Sequence, residues 1–243
     1  MIKVKNVNIG DGVPKICIPV IEKHKKDVLK YIKEIDKLPI DLIEWRADFY
    51  EDSDNNIEEI SKEIKKCTSK PIIFTLRSVK EGGNLNIKPN TYDCMIDIYK
   101  TIIDKKLFSI IDIELLTLKE NDIKELIKLS KKENIKTILS NHDFSKTPNK
   151  LEIIHRIKKM IKLKADIAKV AYTPKKQKDV LTILELHNEI NNIPLISISM
   201  GEEGIITRLF YSAITFASAK RASAPGQIEA TKLKYMIDSI YKN

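Results

Sequence analysis

The sequence predicts a (β/α)8 barrel, a TIM-barrel fold of the α/β class. Three observations carry that prediction. Short Ile- and Val-rich segments alternate with longer stretches of helical periodicity from residue 15 to the end. Eight such units fit into 243 residues, close to the length of one such barrel. In five consecutive strand candidates an ionisable residue follows an apolar one on the same face, at the C-terminal end where the catalytic groups of a barrel converge. Residues 1–243 are therefore expected to form one barrel domain. An open, doubly wound sheet also fits the alternation, but no Gly-x-Gly-x-x-Gly follows the first strand candidate.

The elements are predicted in order. Ile2-Lys3-Val4, followed by Gly10-Asp11-Gly12, reads as a small hairpin closing the bottom of the barrel. Strands are predicted over 15–20, 41–46, 71–76, 109–114, 136–140, 166–171, 194–199 and 214–219, all short, β-branched and bounded by polar residues or Pro. Helices are predicted over 23–37, 57–67, 92–105, 123–132, 151–163, 178–191 and 227–241, where apolar residues recur at helical spacing.

Composition bounds the function classes. With 7 Gly and 9 Pro, collagen-like and disordered classes are excluded. The net charge of +9 comes from 43 Lys+Arg against 34 Asp+Glu. The excess is lysine spread along helix faces, without a dense basic tract interleaved with aromatics, so a solvated surface is expected rather than nucleic-acid binding. A positive field also draws in a small anionic substrate. Cys17, Cys67 and Cys94 are widely spaced, which argues against a disulfide framework and a cysteine zinc site. No signal peptide is visible, and no apolar run approaches the roughly 18 residues of a membrane span. A soluble, cytoplasmic protein without membrane contact is expected.

Period-two alternation then sorts the charged residues. Leu42, Glu44, Arg46 and Asp48 share one face; so do Ile73, Thr75 and Arg77; Ile110, Asp112 and Glu114; Ile138, Ser140 and His142; Ile167 and Lys169. Buried ion pairs closing the barrel mouth are the structural alternative to a catalytic site. Lys169 is the most informative residue. A lysine in a buried strand either snorkels or is a reactive amine whose pKa is lowered by its surroundings. Arg46 and Arg77 would supply neighbouring cations; Ile167, Val170 and Met200 would keep the site dry. His142 titrates near neutrality and can move protons. Glu81, before Gly82-Gly83, could orient it, and the glycine pair gives its loop the freedom of a lid. Arg208 could clamp a carboxylate with two hydrogen bonds. Ser223 and Gln227 flank Ala224-Pro225-Gly226 at the turn into the last helix, where an exposed helix N-terminus favours anions or where the two simply cap the helix.

Together these segments resemble the type I 3-dehydroquinate dehydratases, Schiff-base lyases of the shikimate pathway in aromatic amino acid biosynthesis. The resemblance rests on Glu44-Trp45-Arg46-Ala47-Asp48, Thr75-Leu76-Arg77 with Glu81-Gly82-Gly83, Asp112-Ile113-Glu114-Leu115, Ser140-Asn141-His142-Asp143-Phe144 and Ala168-Lys169-Val170-Ala171. It continues through Met200-Gly201 to Arg208 and Ala222-Ser223-Ala224-Pro225-Gly226-Gln227-Ile228, and spans nearly the whole chain. It implies Lys169 as imine-forming nucleophile, His142 as general base and acid, and Glu81 as its orienting group. It implies further that Arg208, Ser223 and Gln227 bind the substrate carboxylate and that Glu44, Arg46 and Arg77 bind ring hydroxyls, with Met200 a further substrate-binding residue. The resemblance calls for no metal or organic cofactor, a small-molecule substrate and a homodimer. One departure is Ile198, where some members carry methionine; no fused shikimate dehydrogenase domain is expected after the last helix. Another Schiff-base barrel enzyme, such as an aldolase, would share Lys169 but want a sugar-phosphate site. A basic binding protein on a barrel scaffold would leave the charged strand ends unexplained.

Overall fold

The computed structural model describes residues 1–52, 56–220 and 222–241. The chain opens with β1 (Ile2–Val4) and β2 (Val7–Ile9), an antiparallel pair. The barrel units follow: β3 (Lys15–Val20) and α1 (Lys25–Ile35), β4 (Leu42–Arg46) and α2 (Ile57–Cys67), β5 (Ile72–Thr75) and α3 (Pro89–Asp104), β6 (Ile110–Glu114) and α4 (Glu120–Lys132). Then come β7 (Lys136–Asp143) and α5 (Lys150–Lys162), β8 (Ile167–Tyr172) and α6 (Gln177–Glu189), β9 (Leu195–Ser199), β10 (Ile214–Phe216) and α7 (Ala230–Tyr241). After β9 the chain makes only a 3₁₀ turn, Ile205–Arg208, instead of an α-helix.

All eight barrel strands are parallel, in the order β10-β3-β4-β5-β6-β7-β8-β9. The seam between β9 and β10 is bridged by the Ala213 N–H donating to the Leu195 carbonyl at 2.8 Å. Alternation splits the apolar residues into two cores. Outward residues such as Trp45, Phe74 and Val170 pack under the helices, with Trp45 edge-on to Tyr50, Phe74 and Phe108. Inward residues near the strand starts, among them Leu42, Ile73, Ile110, Ile138, Ile167, Ile196 and Ile214, form a second core with Val4, Val7 and Ile9 of the hairpin. The hairpin therefore seals the N-terminal mouth, and polar side chains are left to the opposite end. Val170 belongs to the helix-facing core, so it does not help dry the inward face as expected.

Two predicted boundaries shift where non-local hydrogen bonds decide. The strand predicted over 136–140 runs to Asp143, because Asn141, His142 and Asp143 pair with Val170, Ala171 and Tyr172 across the ladder. The last helix starts at Ala230 rather than 227, because the Ser218 backbone bonds to Ile228 and Ala230 and keeps that stretch extended. Asp48 lies in a 3₁₀ turn just beyond β4, not on the strand. No helix among the described residues is long and apolar enough to cross a membrane.

Candidate active site

The C-terminal ends of the strands surround a pocket of about 520 Å³. All ten residues singled out in the sequence line it: Glu44, Arg46, Arg77, Glu81, His142, Lys169, Met200, Arg208, Ser223 and Gln227. Strand alternation delivers the first layer. Lys169 of β8 is 5% exposed. Its Nζ lies 2.9 Å from Asp112 Oδ2 and 3.6 Å from Glu44 Oε1, and 4.5 Å from the centre of the Phe216 ring. The immediate neighbours of the amine are thus carboxylates and an aromatic face, where the sequence suggested cations. Arg46 is instead held by Asp48 through two hydrogen bonds of 2.8 Å.

Arg77 is buried and surrounded by acceptors. It reaches Asp112 Oδ1 at 2.9 Å, Glu114 Oε1 at 3.2 Å and the Ser140 hydroxyl at 2.8 Å. Burial opposes its charge, but Asp112, Glu114, Glu81 and Glu44 together outweigh burial and hold it protonated. Burial likewise opposes ionisation of Asp112; Arg77, Lys169 and His142, with the Ser140 hydroxyl, reverse that and keep its carboxyl below the usual range.

His142 stands one inward position above Ser140, which pairs with Lys169 across the ladder. Its Nδ1 lies 2.9 Å from Glu81 Oε2, and its backbone N–H donates to the same oxygen at 3.0 Å. Burial, then the Arg77 and Lys169 charges, push the imidazole well below its ordinary value. Burial and Glu114 push Glu81 up, against the pull of Arg77 and of the Asn141 and His142 N–H groups. Both shifts oppose a separated ion pair. Gly82 follows Glu81 with φ +83°, and a Cβ there would stand 2.2 Å from the Phe144 ring; this contact ties the loop after β5 to the end of β7.

Arg208 differs from the other cations. It is 1% exposed and sits in the 3₁₀ turn, not on a surface helix. Its Nη atoms donate to the carbonyls of Phe216 at 3.2 Å and Pro225 at 2.8 Å, while Nε has no partner. No carboxylate among the described residues pairs with it, and burial lowers its pKa to about 10. Ser223 and Gln227 lie in the loop that Arg208 clasps through Pro225. The Ser223 N–H donates to Gln227 Oε1 at 2.8 Å, and Gln227 Nε2 donates to the Ser223 hydroxyl at 3.0 Å. They form a closed pair ahead of α7 and are not its first turn. Ile198 and Phe216 complete the apolar wall.

Sequence reasoning gave no role to Asp112, Glu114, Ser140 or Asn141, although all four lie in the motifs it quoted. Their partners come from other strands, from the loop after β5 and from α5, and the sequence signal was limited to a polar residue on a buried strand. Among the described residues no group of three or more His, Cys, Asp or Glu could hold a metal ion.

The model of the type I 3-dehydroquinase family matches residues 16–243. The chain is 41% identical to a 3-dehydroquinate dehydratase of Clostridioides difficile, covering 100% of this chain and 98% of that one. With a 3-dehydroquinate dehydratase of Listeria monocytogenes it shares 39% identity over 98% and 97% of the two chains. Among solved structures, a type I 3-dehydroquinate dehydratase of Clostridium difficile with covalent modified comenic acid superposes with a TM-score of 0.92 at 40% identity, covering 99% and 97%. The Enterococcus faecalis enzyme gives 0.88 at 31% identity, covering 98% and 99%. Sequence, fold and the ordered motifs agree, and the chain belongs to the type I 3-dehydroquinase family.

Proposed function

We propose that this chain is a hydro-lyase that converts 3-dehydroquinate to 3-dehydroshikimate and water through an imine on Lys169. The carrying observation is one pocket that presents a buried lysine near its floor and a buried arginine without a carboxylate partner on its wall. A substrate with a ketone and a carboxylate answers both groups.

Lys169 passes one ammonium proton to His142 and the neutral Nζ adds to the C3 ketone; His142 returns that proton to the hydroxyl of the adduct, which leaves as water, so a protonated imine remains. That cation is an electron sink, and Asp112 and Glu44 lie where they balance its charge. His142 takes the C2 proton. The enamine electrons expel the C1 hydroxyl, which leaves as water with the proton held by His142. Water then hydrolyses the imine, releases 3-dehydroshikimate and restores the amine. Glu81, 2.9 Å from Nδ1, orients the imidazole and offsets its transient charge. Arg208 with Ser223 and Gln227 receives the substrate carboxylate; its unpartnered Nε supports this role. Glu44, Arg46 and Arg77 face the ring hydroxyls, with Met200 beside them.

The family resemblance also supports a homodimer in the cytoplasm; light scattering of the purified chain should return twice the chain mass. The reaction itself is tested by the ultraviolet absorbance of the conjugated enone formed from 3-dehydroquinate. Absorbance growth with 3-dehydroquinate, and no turnover of sugar phosphates, is expected. The reverse pattern would assign the lysine to an aldolase-type reaction.

A further inference from the structure

Asn141 sits beside His142 on β7 but projects to the opposite face of the strand. Its side chain is buried. Nδ2 donates to Glu81 Oε1 at 3.0 Å. Oδ1 accepts from Arg156 Nη1 of α5 at 2.6 Å and from the Tyr172 hydroxyl at 2.7 Å. Arg156 also pairs with Glu152 one helical turn earlier.

An amide can be turned end for end, but this one has a single acceptable orientation. A guanidinium has donors only. If the Asn141 amide were reversed, its NH₂ would face the Arg156 donor, and its carbonyl would face the Glu81 carboxylate. Both contacts would be repulsive, at buried Asn141 and Glu81 side chains where solvent screens little. Arg156 therefore dictates which end of Asn141 meets Glu81.

We propose that Asn141 and Arg156 are positioning residues of the His142 base. Arg156 fixes the Asn141 amide, the amide presents an N–H to Glu81, and that donor favours the ionised Glu81 that holds His142 as the Nδ1–H tautomer with Nε2 free to take the substrate proton. The proposal rests on the reading of His142 as the base. Without that donor Glu81 would keep only Arg77 and the His142 N–H against burial and Glu114, which favour its protonated form. A protonated Glu81 would donate to Nδ1 and place the ring proton on Nε2, the wrong nitrogen for proton abstraction. The charged groups around the pair are Arg46 at the end of β4, Arg77 after β5, Asp112 and Glu114 of β6 and Lys169 of β8, with Glu152 and Arg156 of α5 and the Tyr172 phenol behind Asn141. Among the described residues, Asn141 is the one whose side chain donates to Glu81 Oε1.

The sign of the pH effect follows. The active form has Glu81 ionised and His142 neutral, so a donor to Glu81 lowers the pH at which the pair takes up a proton. Losing the donor moves the acidic limb of kcat/KM to higher pH.

The test uses the full-length enzyme with ¹⁵N-labelled histidine, in the wild type, Arg156→Met and Arg156→Lys. The wild type should show the Nδ1–H tautomer in its His142 ring shifts. Arg156→Met, which cannot donate, should show mixed tautomers and an acidic limb raised by about one unit, with KM within about twofold of wild type. Arg156→Lys, still an obligate donor, should restore most of both signals. A structural contribution alone would change stability without moving the tautomer. If Arg156→Met does not fold, Arg156→Gln, whose amide can turn to accept, should show the same shift in smaller measure. A folded variant with wild-type tautomer and profile would overturn the proposal. A shifted tautomer with an unchanged profile would leave the positioning role standing and sink His142 as the base.

Discussion

Arg208 shows how one residue can announce a ligand. Its aliphatic stem and guanidinium are buried, two carbonyls satisfy part of the fork, and the Nε proton has no acceptor. A buried donor without a partner costs about 1–3 kcal/mol, more when charged, and a carboxylate bound in the pocket would relieve that cost. Arg208→Ala should therefore act on substrate binding more than on the reacting bonds. Loss of a buried charge pair costs about 2–5 kcal/mol, so KM should rise by roughly 30-fold or more with a smaller fall in kcat. Steady-state kinetics with 3-dehydroquinate check this, and an unchanged KM would rule out the carboxylate contact. Asp112 illustrates the opposite case. It is already saturated by Lys169, Arg77 and Ser140, and it holds the amine and the guanidinium in register with each other.

At the scale of elements, the strands divide their labour along their length. First inward residues build the lower core with the hairpin; later ones carry the polar site. Ile9 of β2 is fully buried in that lower core. Ile9→Ala should cost about 2–5 kcal/mol of stability while leaving KM for 3-dehydroquinate unchanged, because the pocket lies at the other end of the strands. Urea unfolding beside kinetics separates the two readouts; a raised KM at full stability would show that the hairpin also shapes the site. Much of this layout was legible in the sequence, since alternation is local: Glu44, Arg77, His142 and Lys169 could each be assigned to the inward face from their own strands. What was not legible depends on register between strands. That the strand continues through Asp143 is settled only where Asn141 to Asp143 pair with Val170 to Tyr172. The hydrogen-bond partners of Asp112 and Ser140 are set by neighbouring strands, so the sequence could not reveal that Lys169 faces carboxylates. The start of the last helix at Ala230 is not visible locally, because Ile228 and Ala230 are tied by backbone hydrogen bonds to Ser218, just past the end of the preceding strand.

At the scale of the whole molecule, basic residues spread over the helices make the surface positive, +9 in all, which favours approach of an anionic substrate. Stability should also depend on pH through groups far from the pocket. His187 of α6 is largely buried, with Nε2 2.6 Å from the Ser197 hydroxyl, and burial lowers its pKa from 6.5 to about 4. The unfolded chain therefore binds this proton more readily, and the stability His187 contributes is present above pH 6.5 and lost as pH falls toward 4. Melting temperatures of the wild type and His187→Gln should converge as pH drops through that window; parallel curves would contradict it. The central claim remains covalent, and the mass of the intact protein tests it most directly. Borohydride added during turnover of 3-dehydroquinate should reduce the imine, inactivate the enzyme irreversibly and add one reduced ligand, which peptide mapping places on Lys169. A label on any other residue, or no label while the enzyme is turning over, would contradict the mechanism.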